Sequence, residues 1–127
     1  MEEIKTLLQS YGQAFDDKDA VAISTKYTMP CAISDADGAL VFSEGAALIE
    51  KFDRNCKRLT EQGHQYSEFV ISEIRQLGRN VAKVDVGWRV YFSDMSSEFR
   101  CLYIMHKTDL GWRIFSAQLY AEAHSKD

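Results

Sequence analysis

The sequence has a single proline, seven glycines and three cysteines, and each scarcity removes a class of structure. One proline in 127 residues excludes a collagen-like or polyproline chain. Cys31, Cys56 and Cys101 are odd in number, widely spaced and without a C-x-x-C pair, which excludes a disulfide scaffold and a zinc-knuckle pattern. Free thiols in a reducing compartment are expected instead. No run approaches the roughly 18 apolar residues that a membrane span requires. The start, Met1-Glu2-Glu3, does not carry a positive segment before an apolar one, so a cytoplasmic protein is expected. Fifteen Lys and Arg against nineteen Asp and Glu give a formal charge of -4, an unfavourable balance for binding nucleic acid. The local cluster Lys51, Arg54, Lys57 and Arg58 also contains acidic residues, and reads as a solvated helix face.

Reactive motifs are missing too. There is no G-x-G-x-x-G, P-loop, H-E-x-x-H, EF-hand loop or G-x-S-x-G, and no serine has a strand-turn-helix nucleophile context. His64, His106 and His124 are the only histidines and have no ligand spacing, so neither a metal nor another cofactor is expected.

What is present is a 46% hydrophobic composition, enough for one domain spanning residues 1–127. Ile4, Leu7, Leu8, Tyr11, Ala14 and Phe15 recur at the helix period over 2–15. Asp19 is placed to cap a short second helix with Val21, Ala22 and Ile23. Pro30 and the turn cluster Asp35-Ala36-Asp37-Gly38 predict a hairpin pairing 31–34 with 39–42. A third helix is expected over about 46–61, ended by Gly63. The remainder reads as four strands, 66–77, 81–92, 98–108 and 112–120, joined by tight turns in an antiparallel meander. The predicted class is α+β, a cone-shaped roll of three N-terminal helices on a curved mixed or antiparallel sheet. Cys101, Tyr103 and Met105 alternate with Leu102, Ile104 and His106, an apolar character on both faces that predicts a homodimer through the outer sheet face.

Helices laid across a curved sheet leave a wide centre for side chains or a small-molecule ligand. Tyr11, Tyr27, Trp88, Tyr103 and Tyr120 can pack a ring and aim a polar tip, as core-edge residues or as ligand donors. Asp35 would suit proton abstraction if turned inward, although its tetrapeptide is equally a turn signature. Cys31 lies where a hairpin could rim the pocket, and its plain reading is a buried hydrophobe. His106 shares a strand face with Leu102 and Ile104, opposite Tyr103; Gln118 and Tyr120 share a face of the last strand. Asp85 falls on the face opposite Val84 and Val86, beside Lys83 or Arg100.

Taken together, the Ile4-x-x-Leu7-Leu8-x-x-Tyr11-x-x-Ala14-Phe15 opening, Asp16-Asp17-Lys18-Asp19, the Pro30 hairpin, the Phe52-bearing helix and Gly111-Trp112-Arg113-Ile114 resemble the nuclear transport factor 2-like superfamily. The SnoaL-like and calcium/calmodulin kinase association-domain-like branches are the nearest in pattern, and the resemblance covers nearly the whole chain. That scaffold hosts isomerases, dehydratases, cyclases, binding proteins and assembly domains, so it implies a fold before a reaction. Tyr11 and Asp35 also resemble the first-helix tyrosine and hairpin aspartate of ketosteroid isomerase. The resemblance implies Asp35 as proton shuttle and Tyr11 as oxyanion donor, with Tyr103 near the place of that family's second donor. The alternative it leaves open is a non-catalytic homodimeric assembly or protein-interaction domain.

Overall fold

Helix α1, Glu2–Asp16, buries Ile4, Leu7, Leu8, Tyr11 and Ala14, the face that the three-and-four spacing marks. In the computed structural model, which describes residues 1–126 and side chains through residue 123, this helix lies across one face of a single curved sheet. Gly12 permits the approach: a Cβ there would lie 3.2 Å from the Trp88 ring. The short α2, Ala20–Ser24, is capped by Asp19, whose carboxylate accepts from the Ala22 amide at 3.0 Å.

Strands β1, Tyr27–Asp35, and β2, Gly38–Phe42, form the expected hairpin, with Cys31 opposite Phe42 and Ser34 opposite Ala39. The turn bond is local, since Asp35 Oδ1 accepts from the Asp37 amide at 2.9 Å. Helix α3, Gly45–Glu61, follows and ends before Gly63, whose φ of 80° suits glycine. Strands β3, His64–Gln76, β4, Val81–Phe92, β5, Met95–Thr108, and β6, Gly111–Lys126, make the antiparallel meander. Strands β3, β5 and β6 each begin earlier than their turn signals indicate, and β6 runs past Tyr120.

The sheet order is β2-β1-β6-β5-β4-β3. The hairpin is therefore not separate from the meander: β1 runs parallel to β6, with Ile33 opposite Ala117 and Tyr27 opposite Ile114, and the sheet is mixed. Register breaks, two in β3 against β4 and two in β5 against β6, mark bulges that curve it around the helices.

Alternation then assigns the faces. Val84, Val86, Trp88, Cys101, Tyr103, Met105 and Ala117 point into the concave side and are buried. His106 points outward with Leu102 and Ile104, and its ring packs at 4.9 Å on Phe115, so it is not a pocket residue. Tyr120 is also outside: its hydroxyl donates to Asp85 at 2.8 Å and accepts from Arg100 Nε at 3.1 Å. Gln118, exposed, shares that face and bonds the Leu119 carbonyl. The two share a face as alternation requires, but it is the outer one, because Ala117 and Leu119 take the inner positions. Asp85 forms the outer ion pair with Arg100, at 2.9 Å.

The α3 charge cluster needs correction. Arg54 and Lys57 are solvated, whereas Lys51 has no exposed surface, because it shares the helix side of Leu48, Phe52 and Cys56.

Candidate functional site

A cavity of about 210 Å³ lies between α1, α3 and the concave sheet face. It exceeds the roughly 150 Å³ apolar cavity that accommodates benzene, so a small ring compound fits by volume. Its walls are mainly apolar, from Phe15, Ile33, Phe52, Leu59, Trp88 and Phe99. The polar lining consists of the tyrosines, Ser34 and Asp35 at the end of β1, Asn55 of α3, and His64 with Ser67.

The tyrosines form a linked array. Tyr11 of α1 and Tyr27 of β1 meet hydroxyl to hydroxyl at 2.6 Å, and the Tyr11 ring stands edge-on to Tyr103 at 6.2 Å. Trp88 Nε1 donates to the Tyr103 hydroxyl at 3.0 Å. Indole can only donate, so the Tyr103 oxygen is the acceptor there, and its own proton is the one it donates, with the Cys101 sulfur as its hydrogen-bond neighbour. The Tyr11–Tyr27 pair holds two protons and uses one between them, leaving one more. Burial drives the pKa of all three phenols upward, so they remain protonated donors.

Asp35 ends β1 at the cavity edge, and Lys51 Nζ donates to its Oδ2 at 3.0 Å. The same ammonium donates to Asp37 Oδ2 at 2.7 Å, and Arg58 contacts Asp37 from outside. Hydrogen bonding from Lys51, with Arg58 adding to it, pulls the Asp37 carboxyl below its usual range. The turn reading and the site reading of Asp35 thus coexist: Oδ1 holds the turn, and the residue still borders the cavity.

His64 and Ser67, which sequence patterns did not single out as site residues, line the far part of the cavity. His64 was hidden because it opens a strand directly after the Gly63 turn, where alternation gives no warning. Burial and the adjacent Lys18 lower its pKa, against an opposing pull from Asp16.

The sequence-derived candidates therefore divide. Tyr11, Tyr27, Asp35, Trp88 and Tyr103 line one cavity. Cys31 is buried in the core nearby without lining it, and burial pushes its thiol up to about 11. Cys101 does line the cavity, its thiol pushed up to about 12 for the same reason. Neither is an activated nucleophile. His106, Gln118 and Tyr120 lie on the other side of the sheet.

Residues 2–122 match the family described as NTF2-like protein (DUF6841). The chain belongs to that family. No match is found among curated proteins. Among solved structures, this NTF2-like chain is similar to an NTF2-like protein of unknown function from Shewanella oneidensis MR-1, at 18% identity and a TM-score of 0.77, covering 93% of this chain and 96% of that one. A second NTF2-like protein of unknown function, from Pseudomonas putida KT2440, shares 19% identity at a TM-score of 0.74, over 94% and 84% of the two chains. A ketosteroid isomerase-like protein from Erwinia carotovora atroseptica SCRI1043 shares 18% identity at 0.69, over 97% and 92%. At these identities the shared property is the NTF2-like fold.

Proposed function

We propose that this chain binds a small, partly apolar molecule in the cavity and transfers a proton on it without a cofactor, in an isomerase-, dehydratase- or cyclase-like reaction. The observation that carries the reading is that Tyr11, Tyr103 and Asp35, from three separate elements, line one cavity. Asp35 takes the proton from a carbon next to a carbonyl; the C–H electron pair becomes the carbon–carbon double bond of the enolate, and the carbonyl π pair moves onto oxygen. Tyr11 and Tyr103 each donate a hydrogen bond to that oxygen, which is worth most where water is excluded. Tyr27, donating to the Tyr11 oxygen, leaves the Tyr11 proton for the ligand and strengthens its donation. The carboxylic acid of Asp35 then returns the proton to carbon.

The test uses 2-tetralone, an enolisable bicyclic ketone with one oxygen. The protein should catalyse deuterium exchange at its α-carbons, followed by proton NMR, and Asp35→Asn should slow that exchange at least about a hundredfold. Exchange at the wild-type rate in Asp35→Asn would remove Asp35 as the base.

We also propose a homodimer through the outer sheet face. Val70, Tyr66, Phe115 and Tyr120 leave apolar surface exposed there, Val70 at 72%. Among the described residues, no helix is long and apolar enough to cross a membrane, and buried free thiols suit the reducing cytoplasm. If 2-tetralone and its relatives neither bind nor exchange while the dimer persists, an assembly domain becomes the better reading.

A further inference from the structure

The second polar end of the cavity is built by residues the proton-transfer step does not use. Lys18 Nζ donates to the Asp16 carbonyl at 3.3 Å and lies 2.5 Å from His64 Nδ1. An ammonium donates and cannot accept, so Nδ1 carries the lone pair and the ring proton sits on Nε2. The surroundings of Nε2 agree, because it faces two oxygens: Ser67 Oγ at 3.0 Å and Asp16 Oδ1 at 3.7 Å. The His64 side chain has no exposed surface, so no water-facing rotation competes with this arrangement. Ser67 Oγ therefore accepts from His64, and the serine's own proton is unspent. Among the described residues Ser67 makes no other side-chain hydrogen bond, and it lines the cavity. A hydroxyl polarised through the chain Lys18, His64, Ser67 thus has its donor free at the cavity wall.

We infer that Ser67 is a second ligand-anchoring donor and that the cavity's ligand carries two acceptor oxygens: one carbonyl for the tyrosines and one neutral carbonyl, ether or hydroxyl oxygen for Ser67, separated by an apolar body. The inference rests on the proposed small-molecule reading and narrows its substrate class. A neutral oxygen is specified because the charges of Lys18 and Asp16 flank the same histidine and offset one another. A singly functional ketone would leave the Ser67 proton without an acceptor on the ligand, which a second oxygen supplies.

Two measurements decide it. Nitrogen-15 NMR of the ligand-free protein should give His64 with Nε2 protonated and Nδ1 bare near neutral pH. A proton on Nδ1 would make Nε2 the acceptor from Ser67 and overturn the inference. In the second, dissociation constants of 2-tetralone and of its 6-methoxy and 7-methoxy derivatives are compared by quenching of tryptophan fluorescence. At least one methoxy compound should bind about tenfold more tightly than 2-tetralone, the effect of one good hydrogen bond, and Ser67→Ala should bring that ratio to about one. A ratio near one in the wild type, or one that survives Ser67→Ala, sinks the Ser67 subsite while leaving the tyrosine site standing. Absence of 2-tetralone binding removes both.

Discussion

The Lys51 ammonium, without exposed surface, donates to Asp35 at 3.0 Å and so ties the middle of α3 to the end of β1 at the cavity edge. Asp37 accepts from the same nitrogen at 2.7 Å. Burying a lysine is tolerable only because both carboxylates meet it. Lys51→Met should therefore destabilise the fold by about 3 kcal/mol, because Asp35 loses its cation and Asp37 keeps only Arg58. Urea unfolding measures this. A loss below about 1 kcal/mol would mean that water replaces the ammonium at no great cost.

Lys51 also shows how far the sequence could be read. Its neighbours Arg54, Lys57 and Arg58 made a charged helix face the economical reading, yet Leu48, Lys51 and Phe52 stand at the spacing of one buried stripe. Only the hairpin, with Asp35 and Asp37 two residues apart, supplies the countercharge, and that pairing is not local in sequence. The hairpin register itself was legible, because the Asp35–Gly38 turn fixes it. The parallel pairing of β1 with β6 was not, since about eighty residues separate the strands and no turn links them. Strand alternation put Tyr103 and His106 on opposite faces from the start. Which face is inside depended on where the helices lie.

His64 predicts a pH dependence of stability. Its folded pKa is lowered from 6.5, chiefly by burial and next by Lys18, while Asp16 opposes the shift. The unfolded chain then binds a proton more readily than the folded one. The contribution is complete above pH 6.5 and is lost as pH falls through the lower folded value. The thermal unfolding temperature of the wild type should fall as pH drops through that interval, and His64→Gln should flatten that part of the profile. An identical slope in both proteins would assign the effect to other groups.

The thiols should be slow. With Cys31 raised from 9.0 to about 11, its thiolate fraction near about pH 8 falls about a hundredfold below that of an unperturbed thiol, and Cys101 falls further. Labelling with a disulfide reagent under native conditions should therefore lag labelling in denaturant by at least that factor for these two residues. Fast native labelling would require the cavity wall to open readily at Cys101, or the core to open at Cys31.

Tyr11→Phe separates packing from donation. The ring contacts with Phe15, Tyr27 and Tyr103 survive the substitution, while the 2.6 Å hydroxyl bond to Tyr27 is lost. The partner hydroxyl can turn toward the cavity, so the stability cost should stay near about 1 kcal/mol. If Tyr11 donates to the developing oxyanion, α-carbon exchange of 2-tetralone should fall by about a hundredfold, with a much smaller change in its dissociation constant, because the charge it stabilises grows mainly in the transition state. Equal losses in binding and rate would make Tyr11 an anchor for the ground-state carbonyl. An unchanged rate with the stability cost alone would reduce it to a core residue and shift the oxyanion role to Tyr103.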